Sequence, residues 1–352
     1  PLQQKFYQLV AGKRAAVSVI DCQTGALLAL VSTPSFDPNN FVLGISNQTW
    51  QELSNDQGKP LLNRNLSASY PPGSTFKLMT ALSALEQGLD PEQKYFCQGK
   101  LKLGRRYFHC WRKEGHGPVN LRQAIAQSCN CYFYNLAKQY SMTEVAKIAP
   151  FFNLGIASGL KLHQESHGLI PNPNWKKQRL KQPWVTGDNL NAHIGQGYVL
   201  ANNLQLAVMT ARLASGQMIK PYLKASEGHF PLQKLPLAET NLQIIREGMY
   251  EAINHRRGTA YWQRPSTNHF QLAGKTGTAQ VINRRLETNK NQQIPYQQRN
   301  HGIFVGFAPY HKPQYAMNII IEHGGSGSSA AAPIAREISH FLADPKKSTK
   351  LS

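Results

Sequence analysis

The sequence predicts an α/β (α+β) fold: one antiparallel sheet completed by both ends of the chain, flanked by helices, with a helical subdomain beside it. Three observations carry this expectation. Near the N-terminus, Ala15 to Asp21 and Ala26 to Ser32 are β-prone runs separated by Cys22-Gln23-Thr24-Gly25, which reads as a hairpin. Near the C-terminus, Leu272 to Ile282, Gly302 to Ala308 and Tyr315 to Glu322 are three further strand candidates. Between these groups, Leu121 to Ser215 is rich in helical spacing broken by Gly and Pro loops.

Taken in order, the first hairpin is followed by a polar stretch from Thr33 to Ser69, punctuated by Pro and Asn, that reads mostly as loop. Tyr70-Pro71-Pro72-Gly73 then leads into a helical run from Ser74 to Gln87, with Phe76, Met79, Leu82 and Leu85 on one face and Gly88 as its stop. A second short hairpin is expected from Tyr95 to Cys97 and Tyr107 to Cys110, before a helix that begins near Asn120. The three late strands are close enough for antiparallel pairing, although Asn283 to Asn300 is a polar excursion. A helix from Ala330 to Leu342 closes the domain, taken as residues 1–342, and 343–352 reads as a frayed tail.

Composition limits the function classes. With 352 residues, 41% hydrophobic and 16% charged, the chain has material for a real core and is not of the disordered class. No run of eighteen apolar residues occurs, the nearest, Ala15 to Val31, being interrupted from Asp21 to Gly25, so no membrane span is expected. The chain starts at Pro1 with no leader pattern and reads as a trimmed piece. A net charge of +20 draws the protein toward anionic surfaces such as lipid headgroups or wall polymers. Nucleic acid is not the expected partner, because short basic groups such as Lys176, Lys177, Arg179 and Lys181 are scattered and accompany no nucleic-acid module signature.

The chemistry is concentrated in three short motifs. Ser74-Thr75-Phe76-Lys77 follows Pro-Pro-Gly at a helix start, where unpaired backbone N–H groups stabilise developing negative charge. Lys77, about one turn along, is placed to take the serine proton if burial keeps its amine neutral. Alone, the tetrapeptide is equally a helix cap and a solvated lysine. Ser128-Cys129-Asn130 follows at an irregular point of a helical stretch, and Lys275-Thr276-Gly277-Thr278 lies in a strand pattern.

In this order and context the three motifs resemble the signature set of the penicillin-recognising serine enzymes, whose fold is the transpeptidase/β-lactamase-like one. The resemblance implies that Ser74 is acylated, with Lys77 as base, Ser128 relaying a proton to the leaving group and Asn130 holding the substrate amide. It assigns Lys275, Thr276 and Thr278 to the terminal carboxylate of a D-Ala-D-Ala stem peptide, and the oxyanion hole to the backbone N–H groups of Ser74 and Thr278. Small Gly277 is expected to let substrate lie against the strand edge. Gly187-Asp188, His193 to Gly197 and Gly302 to Pro309 are similar to stretches of the same family, so coverage runs from the first hairpin to the last helix. No Glu-Leu-Asn pattern for activating a deacylating water occurs between Asn130 and Lys275, which argues against a class A β-lactamase.

Tyr-Pro-Pro-Gly, and Gly115-His116-Gly117, look most like the elongation-type class B transpeptidases, the penicillin-binding protein 2 group. That resemblance implies peptidoglycan stem peptides as substrate, β-lactams as inhibitors, RodA and MreC as partners, and the periplasmic face of the inner membrane as location, with the anchor outside this chain. It implies no cofactor for catalysis. A β-lactam sensor, a division-type transpeptidase and a D,D-carboxypeptidase are the alternatives.

Four of the five cysteines, Cys97, Cys110, Cys129 and Cys131, crowd around the second hairpin and second motif, with His116 nearby. Cys97, Cys110, His116 and Cys129 make a complete ligand set for a structural zinc ion that would hold the loop bearing Ser128 and Asn130, and some elongation-type relatives bind zinc near this motif. The competing expectation is a Cys97–Cys110 disulfide across the hairpin, and Cys131 or His109 could stand in for one ligand. Cys22, in the first hairpin turn, reads as packing or surface.

Overall fold

The computed structural model describes residues 2–344 except 161, 163, 229, 267–269 and 282–293. In chain order the elements are α1 (Leu2–Leu9), β1 (Ala15–Asp21), β2 (Leu27–Thr33), α2 (Asn47–Asn55), α3 (Lys77–Glu86), β3 (Tyr95–Cys97), β4 (Lys100–Leu103), β5 (Arg106–His109) and β6 (Gly117–Val119). They continue with α4 (Leu121–Ala126), α5 (Asn130–Gln139), α6 (Met142–Ile148), α7 (Pro173–Leu180), α8 (Thr186–His193), α9 (Asn203–Ser215) and α10 (Glu239–Asn254). Strands β7 (Ala273–Ala279), β8 (His301–Ala308) and β9 (Tyr315–Ile321) and helix α11 (Ala332–Leu342) complete the order.

The main sheet has the order β2-β1-β9-β8-β7 and is antiparallel throughout. Both chain ends therefore build one sheet, as the sequence predicts. Its central strands are buried on both faces, and side-chain alternation separates two cores. On β1, Ala16 and Ile20 face the helical subdomain, while Ala15, Val17 and Val19 face the layer formed by α1 and α11. Strand β8 divides likewise, with Ile303, Val305 and Phe307 on the first side and Phe304 and Ala308 on the second. Each such aliphatic or aromatic side chain contributes about 1.5–3 kcal/mol on full burial.

Two polar side chains buried in the sheet hydrogen-bond to a neighbouring helix and loop, with Asn318 Oδ1 left without a partner among the described residues. Ser18 of β1 and Asn318 of β9 join Asn65 and Asn203 in a hydrogen-bonded cluster, with Asn203 Nδ2 2.7 Å from Ser18 Oγ and Asn318 Nδ2 2.7 Å from Asn203 Oδ1. This fixes the start of α9, which also carries a capping box at Asn202, against the sheet.

Several expectations change. The second hairpin is nested: Tyr95–Cys97 pairs with Gly117–Val119, and inside it Lys100–Leu103 pairs with Arg106–His109. The stretch from Thr33 to Ser69 contains α2, capped by Ser46, whose hydroxyl accepts from Thr49 N. Ser74 sits in a 3-10 turn, Gly73–Thr75, and the α-helix proper begins at Lys77. Most of the polar excursion at 283–300, and the tail beyond residue 344, lie outside the described residues. No helix among the described residues is long and apolar enough to cross a membrane.

Candidate active site

The turn bearing Ser74 is clamped from both sides. Gly73 has a φ of +55°, and a side chain there would place Cβ 2.5 Å from Thr278 O, so only glycine lets this turn lie on β7. From the other side Gly73 N donates to Gly195 O at 2.9 Å, and Gln196 Nε2 donates to Thr278 O at 2.9 Å. The stretch His193 to Gly197 thus buttresses the serine turn and ties it to the edge strand. Behind it, Tyr70 Oη donates to Glu322 Oε1 at 2.7 Å, and Arg64 Nε lies 3.2 Å from Glu322 Oε2, which anchors the Tyr-Pro-Pro-Gly segment to the end of β9.

Lys77 is fully buried. Its Nζ donates to Asn130 Oδ1 at 2.6 Å, to Ser128 O at 2.9 Å and to Ser128 Oγ at 3.3 Å. Burial lowers its pKa to about 8, against the opposing pull of the nearby Cys110, Cys129, Cys131 and Cys97 thiols. At neutral pH a usable fraction of the amine is therefore unprotonated. Ser74 Oγ makes no hydrogen bond to another described residue and faces the cleft. The motifs at residues 74–77 and 128–130 meet at Lys77, 51 and 53 positions from its partners.

Ser128 stands between α4 and α5 with a φ of +56°, a left-handed conformation that costs a non-glycine residue roughly 1–2 kcal/mol. That kink, followed by the restart of helix at Asn130, puts both motif side chains beside Lys77. Asn130 Nδ2 also donates to His109 O at 3.1 Å, joining the motif to β5.

The third motif lies on β7, the free edge of the sheet. Thr276 and Thr278 line the cleft. Lys275 is fully buried, donates to Thr276 O at 3.1 Å, and has its pKa pushed well below the usual lysine range by burial and then by the charge of Lys77. Gly277 departs from expectation: it does not line the cleft, and a Cβ there would stand 2.9 Å from Pro72 O and from Thr75 Cγ2. Its lack of a side chain admits the serine turn to the strand, not substrate.

The cleft has a volume of about 570 Å³ and brings together Ser74, Ser128, Asn130, Thr276 and Thr278 with residues that the motifs do not mark. Tyr107, Phe108, His109 and Trp111 come from the nested hairpin, Asn191 and Gln196 from α8 and the loop after it, and Gln280, Asn300 and Ser326 from beyond β7. Among the described residues, no carboxylate, lysine or arginine lines it. Sequence offered no signal for these positions, because each comes from a different loop or strand end.

The nested hairpin also gathers the cysteine cluster. All five cysteines are free and buried, so no Cys97–Cys110 disulfide forms here. The ligand atoms of Cys97, Cys110, His116 and Cys129 lie within 4.8 Å of one another. His116 Nδ1 is 3.5 Å from Cys97 Sγ and 3.6 Å from Cys110 Sγ. Zn–S bonds of about 2.3 Å and Zn–N bonds of about 2.0–2.1 Å at tetrahedral angles put sulfur and nitrogen about 3.6 Å apart, so this donor set fits the ion. Hydrogen bonds from Cys129, Cys131 and Cys97 pull the Cys110 thiol far below its ordinary range, while the same bonds push the Cys129 and Cys131 thiols up. Cys131 borders the group without joining the set of four, and His109 turns to the cleft instead.

Comparison with known proteins gives a consistent result. The family model for the penicillin binding protein transpeptidase domain matches residues 15–340. The chain is 36% identical over 364 residues to the peptidoglycan D,D-transpeptidase MrdA of Salmonella typhimurium, covering 99% of this chain and 58% of that protein. It thus spans little more than half the length of that curated relative. Among solved structures, the complex of penicillin-binding protein 2 with MreC from Helicobacter pylori superposes with a TM-score of 0.89 at 36% identity, over 97% of this chain and 62% of that one. Penicillin-binding protein 2 of Pseudomonas aeruginosa, in complex with WCK 5153, gives 0.87 at 35% identity, over 98% and 77%. With the family model matched over residues 15–340 and 36% identity to a curated relative over nearly the whole chain, this chain belongs to the penicillin-binding protein transpeptidase domain family.

Proposed function

We propose that the chain, as residues 1–342, is the catalytic domain of an elongation-type D,D-transpeptidase that cross-links peptidoglycan stem peptides and is acylated by β-lactams. The observation that carries this is Lys77, buried, with a lowered pKa, and hydrogen-bonded to Ser128 and Asn130 at the floor of the cleft that Ser74 faces. In this reading Ser74 Oγ attacks the carbonyl carbon of the penultimate D-Ala as its proton passes to Lys77. The oxyanion is held by the backbone N–H groups of Ser74 and Thr278, which the contact of Gly73 with Thr278 keeps together. Ser128, bonded to the lysine, relays the proton to the departing D-Ala nitrogen, and the stem-peptide amine of a second strand then attacks the ester. Asn130 orients the substrate amide, and Lys275, Thr276 and Thr278 take the terminal carboxylate. With no carboxylate among the described residues lining the cleft to activate water, transfer to an amine is favoured over hydrolysis, which sets this reading above a D,D-carboxypeptidase. Fluorescent penicillin is expected to label Ser74 and to leave Ser74→Ala unlabelled, and uncross-linked peptidoglycan is expected to be joined by the wild type. Label without cross-linking would convert the assignment to a β-lactam sensor.

The same proposal places the domain at the periplasmic face of the inner membrane. MreC as partner is supported by the Helicobacter pylori complex, and RodA by resemblance to the elongation group. Cys97, Cys110, His116 and Cys129 are proposed to hold a structural zinc ion, which would crosslink the nested hairpin to the turn carrying Ser128. Asn130 N, 3.3 Å from Cys110 Sγ, belongs to the same unit. The expected result is one equivalent of zinc on purification. Its removal by chelator lowers the melting temperature by several degrees and slows acylation about tenfold or more, since ligand supports typically act over a 10–100-fold range. Less than a tenth of an equivalent in a fully active protein would end the zinc proposal.

A further inference from the structure

Among the described residues the cleft lining carries no lysine or arginine, yet basic residues crowd the hairpin beside it. From Lys94 to Lys113 the chain has seven Lys and Arg residues and no Asp or Glu, and from Pro173 to Gly187 it has four and none. The β4–β5 register places Lys100 opposite His109 and Lys102 opposite Tyr107, and directly opposed residues project from the same face. Tyr107, Phe108 and His109 all line the cleft, and Lys100 and Lys102 share the hairpin face of Tyr107 and His109, with the Lys100 ammonium 4.8 Å from the Tyr107 ring centre. The alternate residues, Leu101 and Leu103, pack on the core. Arg105 and Arg106 are exposed at the hairpin tip.

A second basic group lies on α7, which precedes the α8 corner that adjoins the hairpin. Gly187, at the start of α8, lies against Phe108, with a built Cβ 3.7 Å from Phe108 Cζ, and α8 goes on to deliver Asn191 to the cleft. Helix α7, just before this corner, exposes Lys177 and Arg179. Among the described residues none of these six cations forms an ion pair, whereas their neighbour Lys176 is buried against Asp188 at 2.6 Å. Unpaired like charges on the hairpin and on α7 raise a positive potential on this side of the molecule.

We propose that this collar docks the acidic peptide-bearing strand of the donor, through carboxylates of the D-glutamyl residues and C-termini on stem peptides next to the one being cleaved. This rests on the transpeptidase reading above. The neutral cleft accepts one peptide end. The collar acts on the polymer to which that end is attached, raising its capture rate and holding it in register with Ser74. Because Lys100 and Lys102 share a face with the cleft residues Tyr107 and His109, a strand bound to them lies beside the cleft mouth. A flat anionic bilayer seated there would cap the cleft, and a strand would feed it.

The test is the quadruple variant Lys102→Gln/Arg105→Gln/Lys177→Gln/Arg179→Gln, none of whose positions lines the cleft. On uncross-linked peptidoglycan strands in 50 mM salt its KM is expected to rise about tenfold with kcat little changed. The wild type should lose about tenfold in kcat/KM between 50 and 200 mM salt, and the variant about threefold or less, because steering by exposed charge falls with ionic strength. Acylation by a zwitterionic β-lactam should stay within twofold of wild type, which reports an intact fold and cleft. Equal KM and equal salt slopes on the strands would overturn the collar. So would loss of binding to anionic phospholipid vesicles with strand KM unchanged. Failure of the wild type to be acylated at all would instead strike the transpeptidase reading.

Discussion

Replacing Lys77 with methionine lowers the second-order rate constant for acylation of Ser74 by about a thousandfold and abolishes its dependence on pH near 8. The magnitude follows from removing a positioned base, an effect of about 10²–10⁴. The pH behaviour follows from the sign of the shift. Burial holds the Lys77 pKa at about 8, and the neutral amine is the form that accepts a proton. Wild-type acylation therefore falls about tenfold for each unit of acidification below pH 8 and levels off above it. Methionine keeps the length and apolar packing of the lysine stem, so the fold should persist, and the melting temperature checks that it does. Stopped-flow acylation by a chromogenic β-lactam between pH 6 and 9.5 makes the measurement. A variant within tenfold of wild type, or a wild-type profile flat across pH 8, would remove Lys77 from the base role. Asn130 and Ser128 bear on the same result, because they are the two residues whose side chains accept from Lys77 Nζ.

How much of this was readable before the fold is clearest residue by residue. The three motifs are local strings, and local strings survive in a sequence, so Ser74, Lys77, Ser128, Asn130 and Lys275 were named without any contact being known. The sheet was readable for a similar reason. Ala15–Asp21, His301–Ala308 and Tyr315–Ile321 are β-rich segments of seven or eight residues, long enough to show. Helix α2 was not readable because none of its residues is buried, leaving no apolar stripe to mark it. The nested hairpin was misread because a strand of three residues, such as Tyr95–Cys97, fixes no register, and its true partner at Gly117–Val119 contains a proline.

The basic rim escaped for a related reason. Lys100 and Lys102 look like solvated strand residues until the register sets them beside His109 and Tyr107. Gly277 shows the converse, a motif residue whose physical reason differs from the expected one: its missing side chain makes room for Pro72 and Thr75. Glu322 gave no signal at all. Its importance lies in receiving Tyr70 and Arg64 from a segment some 250 positions earlier, the Tyr70 contact spanning 252.

A pair of glycine substitutions separates a residue that shapes the serine turn from one that merely bends the chain. Gly195 and Gly197 both have a φ of +70°, so alanine at either position carries a left-handed penalty of roughly 1 kcal/mol. Their surroundings differ. At Gly195 an added Cβ would fall 2.2 Å from Gly73 O and 2.7 Å from Phe76 Cβ, inside the turn that presents Ser74. At Gly197 the first atom met is Asn191 Cβ at 3.5 Å, an ordinary contact. Gly195→Ala should therefore cost about 3 kcal/mol or more in stability, the overlap adding to the strain. It should also slow acylation about a hundredfold, because the Gly73 N to Gly195 O bond is broken and Ser74 shifts against Thr278. Gly197→Ala should cost about 1 kcal/mol and leave acylation within threefold. Denaturant unfolding and β-lactam acylation, run side by side on both variants, make the comparison. Equal acylation defects in the two would mean that Gly195 serves only the local bend, and that the serine turn is held by Tyr70, Glu322 and β7 without it.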